Sequence, residues 1–233
     1  SSTENIAPQH AQQYALGAVR SFADNTFEVS LEAYYKSMTQ LITYRDGANY
    51  LFQNGSSWEE KVVVGEGEAY GVELFLHKKA GRLNGWLGYT LSWSNRWFDE
   101  INGGRPFPFR YDRRHDLSLL LNYELPRDRS LSLTFVYNTG NAITLPTGRY
   151  QSAPPAGWEN GVSFYSREAD DWAEMFNRPL MDERNNFRMP AYHRLDISYQ
   201  SNKATKRENR RSWIFSLYNA YSRLNPYFLY EDQ

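Results

Sequence analysis

The stretch that decides the fold is TFEVSLEAYYK, residues 26–36. Its odd-numbered side chains, from Phe27 to Tyr35, are apolar, and its even-numbered side chains, from Glu28 to Lys36, carry a polar group. Successive side chains of a β-strand point to opposite faces of the sheet. This alternation therefore predicts a strand with one apolar face and one polar face.

The same alternation recurs in further segments and gives about eight predicted strands. Each is near the roughly 9–11 residues that a tilted strand needs to cross a bilayer. No segment approaches the roughly 20 apolar residues of a membrane-spanning helix, so a membrane interpretation has to depend on strands. One apolar residue, Leu120, falls on the polar side of its segment. The predicted strands cover residues 14–18, 26–36, 70–77, 83–94, 116–124, 131–138, 194–200 and 213–217.

The connections between these strands alternate between short and long. Outer-membrane barrels have short turns at one rim and long extracellular loops at the other. A soluble Greek-key domain has no reason to place every long loop at the same end. The sequence therefore predicts an all-β fold, an antiparallel segment of a transmembrane β-barrel. The short connections are 23–25, 80–82, 126–129 and 202–211, and the long ones are 42–67, 97–111 and 140–190.

Aromatic residues make up 16% of the chain, with 18 Tyr and 7 Trp. Rings near strand ends on the apolar face are typical of the aromatic girdles at membrane interfaces. Ordinary cross-strand packing also explains such rings, and the composition suits a soluble carbohydrate-binding β-sandwich as well. The girdle candidates are Tyr35, Tyr89, Trp93, Tyr123, Tyr137 and Tyr199.

The polar face carries long and charged side chains. A small closed barrel must fill its interior with side chains, so a wide or plugged lumen suits this set better. The chain also ends in a polar tail, residues 230–233, rather than in an aromatic strand. We therefore expect a partial barrel whose lumen-facing residues are Glu28, Glu32, Glu73, Trp86, Asp116, Arg194 and Asp196.

Several classes of function receive no support. The net charge of −1 offers no basic excess for nucleic acid, and the absence of cysteine excludes thiolate metal sites. The four histidines are scattered without ligand spacing, so we expect no metal, no cofactor and no catalytic site. We expect His115 and His193 to form hydrogen-bond networks at the rim. The charged run 112–116 is interpreted as structural salt bridges on the lumen wall.

Residues 140–190 form the connection with most functional interest. A structureless loop of this length is uncommon unless it is functional or carries structure of its own. The spacing of Ala169, Trp172, Ala173 and Phe176 predicts a short amphipathic helix. Its apolar side either packs on neighbouring loops or serves as a lid over a ligand. The candidate substrate-binding residues are Arg149, Trp158, Glu159, Tyr165, Asp170, Asp171 and Trp172.

Five segments, in order along nearly the whole chain, resemble the barrel of TonB-dependent receptors, especially the large receptors of Bacteroidetes. The resemblance implies a barrel of about 22 strands plugged by an N-terminal domain, in which this chain supplies roughly strands 14 to 21. The plug, the TonB-contacting segment and the last strand then lie outside this chain. The segments are LEAYYK (31–36), GEGEAYGVE (65–73), PFRYDRRHDLS (108–118), MPAYHRLDIS (189–198) and YNAYSRLNPY (218–227).

The resemblance also implies a function and partners. It implies a protein of the Gram-negative outer membrane that imports a scarce nutrient with energy delivered through TonB. The implied partners are outer-membrane lipid, the plug and the rest of the same barrel, the TonB complex and a surface substrate-binding lipoprotein. The family takes up iron chelates, cobalamin, oligosaccharides and peptides, and the substrate stays open. Two other hypotheses are a structural or adhesive outer-membrane barrel and the soluble β-sandwich.

Overall fold

The computed structural model describes residues 6–46, 58–151, 177–204 and 210–226. Within them, two short 3-10 turns, Trp58–Lys61 and Asn102–Gly104, accompany thirteen strands. No described helix is long and apolar enough to cross a membrane. The strands are β1 (His10–Phe22), β2 (Phe27–Tyr44), β3 (Val62–Lys78), β4 (Leu83–Trp97), β5 (Phe107–Pro108), β6 (His115–Leu125), β7 (Arg129–Asn138), β8 (Ala142–Ile143), β9 (Gly148–Gln151), β10 (Asn177–Leu180), β11 (Phe187–Arg188), β12 (Tyr192–Ala204) and β13 (Arg210–Leu217).

Eight long strands form one antiparallel sheet in the order β1-β2-β3-β4-β6-β7-β12-β13. The two-residue strand β5 adds to the end of β4, and β8–β11 and β9–β10 form two separate small pairs. Each long strand is hydrogen-bonded to the next long strand along the chain, which is the topology of a simple meander. The prediction of an all-β antiparallel fold with about eight long strands is confirmed.

The two ends of the sheet differ. Three short connections, residues 23–26, 79–82 and 126–128, lie at one end, which we call the turn end. The opposite end, called the loop end, carries loop 1 (residues 45–61), loop 2 (98–114) and loop 3 (139–191). The predicted placement of every long loop at one end is therefore confirmed for these connections.

The predicted boundary at residue 42 is wrong, because β2 runs to Tyr44 and β3 starts at Val62. A β-bulge lies between Met38 and Leu41, where Gln40 has φ 58°. A bulge adds one residue to one strand and so breaks the alternation that sequence analysis follows. Similarly, β12 and β13 extend into the predicted connection 202–211.

The predicted loop 140–190 is partly a folded hairpin. Its described residues contain β8 paired with β11 and β9 paired with β10. The loop therefore carries structure of its own, which was one of the two explanations offered for its length. The predicted helix around residues 169–176 lies outside the described residues.

The register aligns the apolar sides of all eight long strands on one face of the sheet, which we call the apolar face. Residues directly opposite one another on neighbouring strands share a face. The faces assigned to the individual strands from sequence therefore coincide across the sheet. One row across six strands contains Val29, Leu76, Leu87, Leu119, Phe135 and Leu195.

No described element covers this apolar face. Leu31 is 51% exposed and Phe215 is 63% exposed, although both lie within long strands. The described apolar side chains that are buried lie instead near the loop end or before β1: Ile6, Leu41, Val62, Val63, Phe98, Ile101, Phe107 and Ala142. A soluble β-sandwich needs a second sheet over its apolar face. The β-sandwich hypothesis is therefore wrong for the part of the chain described.

The predicted girdle rings all lie on the apolar face. Tyr35 and Trp93 lie toward the loop end, where Tyr70 sits between them in register and stacks on Trp93 with ring centroids 5.3 Å apart. Tyr123 and Tyr199 lie toward the turn end, on either side of Leu131. Phe27 and Tyr35 are eight residues apart on β2, or about 20 Å along the normal of a tilted strand. This separation suits an apolar band of roughly 25 Å.

Substitution of Leu119 by Lys tests which face meets lipid. In the intact protein in lipid vesicles, Leu119→Lys should lower the free energy of unfolding by about 2–4 kcal/mol, because a cation near the bilayer midplane is poorly solvated. The matched variant Ser118→Lys, one residue away on the other face, should cost much less. Denaturant titration of both variants measures the difference. Equal losses would show that the two faces meet similar surroundings.

Candidate functional site

Loop 2 packs on the polar-face ends of β2 and β3 at the loop end through a small apolar cluster. The cluster, called the loop-base core, consists of Leu41, Val63, Phe98, Ile101 and Phe107, each at most 6% exposed. The bulge in β2 places Leu41 on the polar side, where it lies opposite Gly65.

Close approach of backbone and ring in this core requires a glycine. A Cβ built at Gly65 would lie 2.3 Å from the Phe98 ring and 2.3 Å from the Trp97 carbonyl oxygen. Only a residue without a side chain lets Phe98 fold back over β3 in this way. Gly65 belongs to the GEGEAYGVE segment, so packing at the loop base gives this part of the motif a physical reason.

Arg184 in loop 3 connects the other two loops. Its guanidinium donates hydrogen bonds to the Thr43 Oγ1 (2.9 Å) and the Tyr44 carbonyl (3.0 Å), and pairs with Asp46. Its backbone N–H donates to Asn102 Oδ1 (2.7 Å), and Asn102 Nδ2 donates to the Arg184 carbonyl (3.2 Å). One residue therefore ties loop 3 to the end of β2 and to loop 2.

The next two asparagines continue this network. Asn185 donates from its backbone to Thr144 Oγ1 (3.0 Å) and from its side chain to the Pro108 carbonyl (2.8 Å). Asn186 and Leu145 exchange two hydrogen bonds, of 2.9 and 3.0 Å. We call residues 182–186 the loop clamp, because their polar contacts join the end of β2, loop 2 and the first part of loop 3.

A buried carboxylate holds loop 2 to loop 3. Asp112 is 1% exposed and pairs with Arg188 (2.5 Å) and Arg114 (3.2 Å), while the Ser94 backbone N–H donates to it (2.7 Å). Arg188 also donates to the Gly140 carbonyl (3.0 Å). Removing one partner of a buried pair would leave an uncompensated charge, so each member of this cluster is needed to hold the two loops together. The salt bridges predicted in the run 112–116 are present.

All seven residues predicted to face the lumen lie on one face of the sheet, the polar face. The register connects Glu28, His77, Trp86, Leu120, Thr134 and Asp196 in a single row across six strands. A second row contains Glu32, Glu73, Thr90 and Asp116. Whether this face lines a lumen stays a prediction at this point.

Four of the seven meet at one cavity of about 330 Å³ in the polar face: Glu32, Glu73, Trp86 and Asp116. Glu32 and Glu73 lie directly opposite one another on β2 and β3. Like charges in that position repel. Among the described residues neither glutamate has a salt bridge, whereas Glu28 pairs with Lys79 at 2.6 Å.

Arg194 and Asp196 form a local cluster instead of joining that cavity. Arg194 Nε donates to Asp196 (3.0 Å), and its guanidinium lies 4.2 Å from the ring centroid of Tyr218. The Asn219 backbone N–H donates to the other Asp196 oxygen (2.9 Å). These contacts fix the turn that follows β13, so both residues have a structural explanation.

A second cavity, of about 460 Å³, lies at the base of loops 2 and 3. We call it the loop-base cavity. Its lining combines three arginines with three phenylalanines, and none of its lining residues is acidic: Thr43, Arg96, Phe98, Phe107, Phe109, Arg110, Ala142, Ile143, Thr144, Arg184 and Asn185. None of these residues is among the candidate site residues predicted from the sequence. The only signal was the clustering of Arg with Phe in residues 105–110, which no periodicity makes conspicuous.

Of the seven candidate substrate-binding residues predicted in loop 3, the structure describes only one. Arg149 lies in β9 opposite Pro179 of β10 and is exposed. The other six lie outside the described residues and stay predictions: Trp158, Glu159, Tyr165, Asp170, Asp171 and Trp172.

The rim networks predicted for two histidines are confirmed. His115 Nδ1 and the Tyr89 hydroxyl are 2.8 Å apart, and His193 Nδ1 and the Tyr221 hydroxyl are 2.7 Å apart. Both pairs lie toward the loop end. Across the described ranges, no group of three or more His, Cys, Asp or Glu side chains is arranged to hold a metal ion.

The fold therefore defines an antiparallel segment of a β-barrel wall. Residues 1–220 match the family model described as TonB dependent receptor-like, beta-barrel, and the chain belongs to this family. No curated protein matches the chain.

A similar solved structure is the crystal structure of the ferric-catecholate import receptor Fiu from E. coli K12 in its closed form. The two share 13% sequence identity with a TM-score of 0.55, over 96% of this chain and 26% of that chain. This likeness supports the fold alone. The chain spans about a quarter of the length of that receptor.

Replacing Arg184 by Ala tests the loop clamp. Arg184→Ala removes charge-assisted hydrogen bonds to the end of β2. We therefore expect the free energy of local opening there to fall by roughly 1.5 kcal/mol, so that this segment opens about tenfold more often. Hydrogen exchange at residues 43–46 of the intact protein measures this opening. The control is Lys79→Ala, which removes an ion pair with Glu28 at the turn end, away from the loop clamp. If both variants exchange alike, the clamp does not hold the loops together.

Proposed function

We propose that this chain is part of the wall of an outer-membrane receptor that imports a nutrient with energy delivered through TonB. The observation that carries the proposal is the uncovered apolar face of a single-layer sheet, bordered by rings toward both ends. Unpaired backbone groups are not tolerated in hydrocarbon, so such a sheet has to close with further strands into a barrel. Family membership supports the same arrangement.

In this proposal the loop end faces the cell exterior. Long loops at one rim and short turns at the other are the usual arrangement of outer-membrane barrels. The polar face then lines the lumen, with Glu28, Glu32, Glu73 and Trp86 on its wall. Loops 2 and 3, joined by the loop clamp, form part of the mouth through which a substrate enters.

The opposed glutamates support a plug inside this lumen. Glu32 and Glu73 repel each other, and a cation placed between them from another segment would convert this repulsion into attraction. A guanidinium or ammonium group of a plug domain has the chemistry to do so. We therefore propose that the plug contacts the wall at this pair.

Uptake separates this proposal from the structural or adhesive alternative. Cells lacking the gene should grow more slowly on at least one limiting source among ferric chelates, cobalamin, oligosaccharides and peptides. Loss of TonB should produce the same defect, because import against a gradient needs energy. Full growth on every source, together with reduced adhesion to surfaces, would favour the adhesive barrel.

The charge pair gives a sharper test within the intact receptor. Replacing Glu73 by Gln should lower the urea concentration at which the plug unfolds, because a plug cation loses its partner. The free energy of unfolding of the plug should fall by more than about 1 kcal/mol. The matched control Glu68→Gln changes the same strand on the apolar face and should leave the plug unaffected. If no plug cation lies here, Glu73→Gln only relieves repulsion from Glu32, and plug stability should stay constant or rise.

A further inference from the structure

We propose that the loop-base cavity binds an oxyanion attached to an aromatic or apolar group, as part of the substrate that the receptor imports. This inference rests on the proposed function and assigns a chemical class to its substrate. It is carried by the charge, the hydrogen-bonding state and the shape of the cavity lining.

The charge of the lining is positive and only partly compensated. Arg184 pairs with Asp46. Neither Arg96 nor Arg110 forms a salt bridge with any described residue, and no acidic residue lines the cavity. Two guanidinium groups beside one concave surface favour an anionic ligand, since an anion gains attraction from both.

Arg96 is oriented in a way that leaves its donors available. Its guanidinium carbon lies 3.5 Å from the centroid of the Phe109 ring. A stacked guanidinium is held by its flat side, so its N–H groups point outward in the plane of the group. Its Nε is buried and has no hydrogen-bond partner in the described structure. Because this Nε is shielded, the donors of Arg96 that a ligand in the cavity can meet are those of the two outer nitrogens, Nη1 and Nη2.

The rest of the lining suits a ring. The side chains of Phe98 and Phe107 are buried with ring centroids 6.2 Å apart, and Ile143 adds a further apolar surface. The volume of about 460 Å³ is within the roughly 300–1,000 Å³ of small-molecule sites. Guanidinium groups beside apolar rings match a ligand that joins an oxyanion to an aromatic or apolar group.

The position agrees with a role in uptake. Arg96 and Phe107 lie opposite one another in register at the loop end, on the side toward which the polar residues point. The cavity therefore lies at the base of loops 2 and 3, on the side of the proposed lumen and nearer the loop end than the pair Glu32 and Glu73. A substrate held here would be at the mouth, before the plug.

Phenyl phosphate is a suitable probe, because it joins one oxyanion to one ring. Isothermal titration of the intact, plug-containing receptor in detergent should show saturable binding of phenyl phosphate. Inorganic phosphate and benzyl alcohol, which each carry half of the chemistry, should bind at least about tenfold more weakly. Arg110→Gln should weaken phenyl phosphate binding by about tenfold or more, as expected for loss of a charge-assisted hydrogen bond.

Two variants guard against indirect effects. Arg105→Gln changes an exposed arginine of the same loop that does not line the cavity, and binding should stay within about twofold of the original protein. Arg96→Gln should weaken binding as Arg110→Gln does, but Arg96 packs on Phe109 and its loss can disturb the loops. Arg110 is exposed, so its variant keeps the test valid if Arg96→Gln does not fold.

Three results would overturn the inference. These are absence of saturable phenyl phosphate binding up to about 10 mM, equal losses in Arg105→Gln and Arg110→Gln, or inorganic phosphate binding as tightly as phenyl phosphate. If any of them occurs while TonB-dependent uptake is intact, the cavity assignment fails and the proposed function stands. If uptake is absent, the proposed function fails independently of the titration.

Discussion

Backbone hydrogen bonding in hydrocarbon is the constraint on which this structure depends. A lipid-facing chain cannot leave N–H and C=O groups unpaired, so it crosses either as a helix or as strands whose neighbours satisfy every group, and this chain uses strands. The meander β1 to β13 does this between successive long strands. Because each strand then has only two faces, one must be apolar and the other is free to be polar. The polar residues gathered on one face, including Glu32 and Glu73, follow from that division.

The loop end is stabilised by different interactions from those that stabilise the wall of long strands. Here the sheet leaves the apolar band, and the stability of the described residues comes from ordinary burial in the loop-base core and from hydrogen bonds of the loop clamp. The bulge after Met38 marks the transition, since it turns Leu41 toward the core. Asp112 is a further example of such stabilisation at the loop end, because its buried charge is paired with Arg114 and Arg188 rather than solvated by water.

Alternation made the wall predictable from sequence, and its failure made the loops hard to predict. The strands around Leu31, Leu119 and Ile197 and the faces of their side chains followed from a period of two, as did the shared side of Glu32 and Glu73. The strand beyond Met38 did not follow, because one bulge residue shifts the pattern. The loop-base cavity was also missed, since Arg96, Arg110 and Arg184 converge from separate segments through contacts that no local spacing encodes. Substrate identity depends on such contacts.

The loop clamp has a consequence for how such a receptor can diversify. In the paired hydrogen bonds of Asn102 with Arg184, and of Asn186 with Leu145, one partner is the asparagine side chain and the other is the backbone N–H and C=O of the facing residue. Substitution of either asparagine leaves a backbone donor and acceptor unsatisfied, whereas the side chain of the facing residue is free to change without loss of these bonds. Loops 2 and 3 are therefore expected to change many of their side chains as long as these two asparagines are kept, and a loop grafted from a relative would have to carry the corresponding asparagine.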